Sequence, residues 1–74
     1  MGHQEPARIV SDPEVHDEPH VEGTRITVRE IQHLVERKGH DVGTVADRFD
    51  LDVATVYHAL AYYHDHPEEM ARVS

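Results

Sequence analysis

Apolar residues recur along this chain in two periods, and the change between them divides it. Arg8-Ile9-Val10 is a short β-prone run ended by Ser11-Asp12-Pro13, and Glu14 to His20 reads as a loop between two prolines. Thr24 to Val28 alternates polar residues with Ile26 and Val28, which predicts a second strand. From Val28 the spacing turns helical. Val28, Ile31, Leu34 and Val35 share one face, and Thr27 with Glu30 three residues on forms a capping box. Gly39 ends this helix. A second, capped by Asp41, is expected from Val42 or Gly43 to Phe49, and a third from Val53 to about Asp65, stopped by His66-Pro67. Glu68 to Ser74 suggests no more than a frayed turn.

From Val45 to Val56, across the second and third helices, the chain reads VADRFDLDVATV. Val45, Phe49, Leu51 and Val56 fall where a helix-turn-helix needs core residues. Ala46 falls where a larger side chain would hold the helices apart, and Asp52 is placed as an N-cap. The fold expected is mostly α, a small α+β domain. Residues 1–7 form a disordered tail, 8–28 an N-terminal β element and loop, and 29–70 a helix-turn-helix-like three-helix unit.

Composition then narrows the function. Seventy-four residues allow one small domain, whose limited core favours a second copy as support, so a homodimer is expected. Ile9, Val10, Ile26, Val28 and Tyr62 are the candidate dimer contacts, since strands can pair across a two-fold axis and tyrosine is enriched at interfaces. There is no cysteine, no run long enough to span a membrane and no leader-like start, which leads us to expect a cytoplasmic protein. No residues stand at a catalytic spacing, so an enzyme is not expected. No cofactor is expected either. His64-Asp65-His66 and His16-Asp17 with His20 contain metal-ligand types without the paired spacing of a zinc motif, and no metal site is assigned.

Net charge complicates the DNA reading. Seven basic residues against 15 acidic ones give −8, a field that repels nucleic acid and attracts basic proteins. Sparse lysine among many carboxylates also resembles adaptation to a salty cytoplasm. The outward residues at the start of the third helix include Ala54, Tyr57 and His58, with no Arg, Lys, Asn or Gln to read base edges. Phosphate contacts would fall to arginines brought in by folding, with Arg25, Arg29 and Arg48 as the candidates. Two readings stay open: a dimeric helix-turn-helix protein that binds DNA, and an acidic module that holds a basic partner without touching DNA.

The order of segments also carries a resemblance. Arg8 to Glu14, then Pro19-His20-Val21-Glu22-Gly23-Thr24-Arg25-Ile26-Thr27-Val28, then the helices closing on Ala59-Leu60-Ala61-Tyr62-Tyr63 resemble the small prokaryotic family called domain of unknown function 433, whose members look like VapB-related antitoxins. The similarity spans about residues 8 to 70. It implies a dimer, an N-terminal β element before a helix-turn-helix-like bundle, and a role in a toxin-antitoxin or regulatory operon; a basic toxin or other protein is then a candidate partner. Where the family favours Gly-Lys-Pro or Gly-Arg-Pro, this chain has the acidic Asp17-Glu18-Pro19.

Overall fold

A computed structural model of the chain describes residues 8–11 and 18–72. The expected tail at 1–7, and His16 and Asp17, lie outside the described residues. Two strands, β1 (Ile9–Val10) and β2 (His20–Val21), pair antiparallel, with Ile9 opposite Val21 and Val10 opposite His20. Four helices follow: α1 (Val28–Gln32), continued by a π-helical turn at His33–Arg37, then α2 (Val42–Phe49), α3 (Val53–Asp65) and α4 (Pro67–Arg72). The class is mostly α with a small β element, as expected. α3 is the hub, since α1, α2, α4 and both strands all pack on it.

The second strand is not where the alternation at Thr24–Val28 put it. That segment is a turn and its return. Gly23 takes φ +81°, a left-handed value that suits glycine. The Thr24 hydroxyl donates to the Val21 carbonyl at 2.9 Å and accepts from the Ile26 amide at 3.0 Å. The chain then returns beside β2: the Val21 amide donates to the Ile26 carbonyl, and His20 bridges Thr27. His20 is buried because pairing surrounds it, and its Nδ1 lies 2.9 Å from the Glu18 carbonyl.

Helix starts follow their local chemistry. The Thr27 hydroxyl accepts from the Glu30 amide at 3.0 Å, and the Glu30 carboxylate accepts from the Thr27 amide at 3.2 Å, which completes the capping box. Asp41 and Asp52 occupy the N-cap positions of α2 and α3 in extended backbone, though neither side chain makes a capping bond. Past Gln32 the hydrogen bonding widens. The Lys38 amide donates to the His33 carbonyl five residues back, and Gly39, at φ +75°, lets the chain leave. Pro67 does stop α3, but it also begins α4, where a proline at the first helical position sacrifices no hydrogen bond. The supposed frayed turn is therefore a helix, and Met70 on it is buried.

The core joins Val21 to Val28 and Ile31 of α1, Val45 and Ala46 of α2, Val56 and Ala59 of α3, and Met70 of α4. Phe49, Leu51, Leu60, Tyr62 and Tyr63 pack around it, partly covered. Val45 and Val56 thus meet inside as expected, whereas Phe49 and Leu51 sit at the margin. Thr55 and Ala59 are also buried, small residues that allow neighbouring elements to come close.

Candidate functional site

The α2–α3 corner turns on Asp50, a C-cap residue in the left-handed region at φ 58°. An Asp tolerates this conformation better than most side chains. The Leu51 amide reaches back to the Ala46 carbonyl at 2.8 Å, closing α2, and Asp52 starts α3. With Val56 and Ala59 turned into the core, the opposite side of α3 is left open. Val53 is 45% exposed and Tyr57 58% exposed, with Ala54 and His58 exposed beside them. These are the outward positions the sequence assigned. Carboxylates border them: Asp47, Asp50 and Asp52 are all exposed at the corner, and α3 carries neither Lys nor Arg.

The candidate arginines have different surroundings. Arg25 is exposed in the turn between Gly23 and Thr27, and Arg48 is exposed on α2. Arg29 is engaged. Its Nε and Nη2 donate to the two carboxylate oxygens of Glu18 at 3.3 and 2.8 Å, and this contact raises the Arg29 pKa from its ordinary value. Arg29 also shares a shallow groove of about 570 Å³ with His33, Arg37 and Tyr63. The sequence reading missed this groove. Its signal was the four-residue interval of Arg29, His33 and Arg37 on one helical side.

The candidate dimer residues divide as well. Val28 is fully buried within the single chain as the first residue of α1, so it has no surface to offer a second copy. That assignment is corrected: the alternation that suggested a strand face was the start of a core-facing helix. Ile9, Val10 and Ile26 are half-buried, and Ile9 with Tyr62, His58 and Ala61 lines a second groove of about 330 Å³ between β1 and α3. Tyr62 fastens α3 to α4: its hydroxyl donates to Glu69 Oε1 at 2.6 Å, and its ring stacks on His66 at 4.0 Å between centroids. Burial, then the bond to Glu69, pushes the Tyr62 pKa up from its usual value.

Two histidines at the end of α3 contact protein groups. His64 Nε2 lies 2.9 Å from both carboxylate oxygens of Glu36, and this hydrogen bond holds the Glu36 pKa below the usual carboxylate value. His66 Nδ1 is 3.0 Å from the Tyr62 carbonyl. Among the described residues no three His, Cys, Asp or Glu side chains gather as metal ligands. No helix of the described residues is long and apolar enough to cross a membrane.

The geometry therefore defines a small, mostly α domain of four helices with a two-strand antiparallel element near its N-terminal side. Residues 9–63 match the family model described as protein of unknown function (DUF433), and the chain belongs to that family. No curated protein and no solved structure matches it significantly.

Proposed function

We propose that this chain is an antitoxin-like or transcription-regulatory protein that binds DNA as a dimer through its helix-turn-helix unit. One observation carries the reading: Val56 and Thr55 anchor the first turns of α3 in the core while Val53, Ala54, Tyr57 and His58 are exposed. The protein works by binding and not by catalysis, in the cytoplasm. Its acid-rich surface suits a saline one, where a few arginine–phosphate contacts are screened and shape and apolar contacts supply recognition. Ile9, Val10 and Ile26 supply the dimer contact.

A second reading is favoured by the carboxylates at the corner. Asp47, Asp50 and Asp52 around an exposed, partly apolar helix suit a basic protein, such as a basic toxin, better than phosphate. Fluorescence anisotropy with the DNA upstream of the protein's own gene, over a series of salt concentrations, separates the two. DNA binding predicts affinity that falls with salt, and a slope reduced by about one when Arg48→Glu removes a phosphate contact. No binding at the lowest salt, together with capture of a purified basic protein encoded beside this one, would establish the acidic module instead.

A further inference from the structure

Arg29, His33 and Arg37 follow one another at intervals of four along α1 and the π-helical turn, and all three line the groove of about 570 Å³. On an unbroken α-helix, residues eight positions apart drift by about 80° around the axis. The wider π turn takes back part of that drift, and Arg37 enters the groove that holds Arg29. π turns of this kind are frequent at functional sites.

The carboxylates of this groove are already engaged. Glu30 accepts from the Thr27 amide. Glu18 is gripped at two points by Arg29, in the forked geometry that a guanidinium also uses for phosphate. The Glu18 side chain is 13% exposed and that of Arg29 46% exposed, so the guanidinium keeps an open side. Arg37 has no ion pair among the described residues.

We propose that this groove takes the phosphates of a nucleic-acid backbone, with Arg37 as the standing contact and Glu18 as an internal competitor that a phosphate displaces from Arg29. The source of the phosphates rests on the DNA-binding reading above; the site itself rests on the groove. Labour is then divided in an acidic chain. The α1 side meets phosphate, and α3, without Lys or Arg, offers only its exposed apolar and imidazole groups.

Inorganic pyrophosphate titrated into the isotope-labelled full chain, followed by NMR, tests the site. Saturable shifts should centre on Arg29, His33 and Arg37. Glu18→Gln should tighten binding by roughly 1.5- to 5-fold, the span of one exposed ion pair. Arg37→Glu, with an unchanged melting curve as its control, should abolish saturation. Shifts that do not saturate or that centre elsewhere, or unaltered affinity in Glu18→Gln, would overturn the site. A second titration uses a labelled mixed-sequence duplex. If wild type binds it and Arg37→Glu leaves affinity and salt slope unchanged, the proposal fails while the DNA reading survives. Pyrophosphate in the groove without duplex binding would overturn the nucleic-acid assignment and the DNA reading with it.

Discussion

The α2–α3 corner and the N-terminal β element are held in different ways. At the corner, Val45, Ala46 and Val56 meet as packed side chains, and Asp50 reverses the backbone between them. In the β element, besides the buried Val21, the attachments are backbone bonds. The Glu22 amide donates to the Arg8 carbonyl at 2.8 Å, and the Val28 amide to the Pro19 carbonyl at 3.0 Å. Side-chain packing is sensitive to volume, whereas a hydrogen-bonded turn is sensitive to conformation. One region should thus fail by size and the other by dihedral angle.

Volume gives the largest expected effect. Ala46→Leu adds bulk at a position that is 3% exposed, and overpacking of this kind costs about 1–3 kcal/mol, measurable as a lower denaturation midpoint with an unaltered slope. In the β element, Gly23→Ala meets no atom within 4 Å, so its cost is the left-handed backbone alone, about 1 kcal/mol by the same measurement. An equal loss at both positions, or none at Gly23, would erase the contrast. Asp50→Gly sharpens it from the other side, since relief of the left-handed strain should stabilise the corner by about a few tenths of a kcal/mol.

The smallest effect lies outside both regions, where His64 of α3 meets Glu36 of the π turn. Glu36 titrates below its ordinary value in the folded chain, so the stability it adds is present above that ordinary value and is lost as pH falls through the folded one. His64→Ala should flatten that acid limb in denaturation curves taken at a series of pH values. A limb of unchanged steepness would place the acid sensitivity elsewhere.

The same contrast explains what could be read from the sequence. The helices were legible because their signals are local: Thr27 with Glu30, Asp41, Asp52 and the helical spacing of Val28, Ile31 and Leu34 all act within a few residues. β2 was not. Two residues cannot show a period, and His20 is buried only because Val10 and Thr27 lie across from it. Thr55 and Ala59 were hidden by their small size, since only close packing reveals that a short side chain has no room around it. Met70 was overlooked because Pro67 can both stop one helix and open the next. At the candidate site the exposed face of α3 followed from its period. The Arg29–Glu18 contact joins residues eleven apart through a fold that the pattern does not encode.

A π turn holds one residue more than an α-helix would need for the same hydrogen-bonded circuit, and the turn at His33–Arg37 gives the chain a length-sensitive joint. Removal of a single codon there would let the segment close as ordinary α-helix. The arginine now at 37 would then stand seven positions after Arg29, about 20° from it around the axis. A frame-preserving deletion three nucleotides long could thus re-aim a charged side chain without replacing any residue of the core.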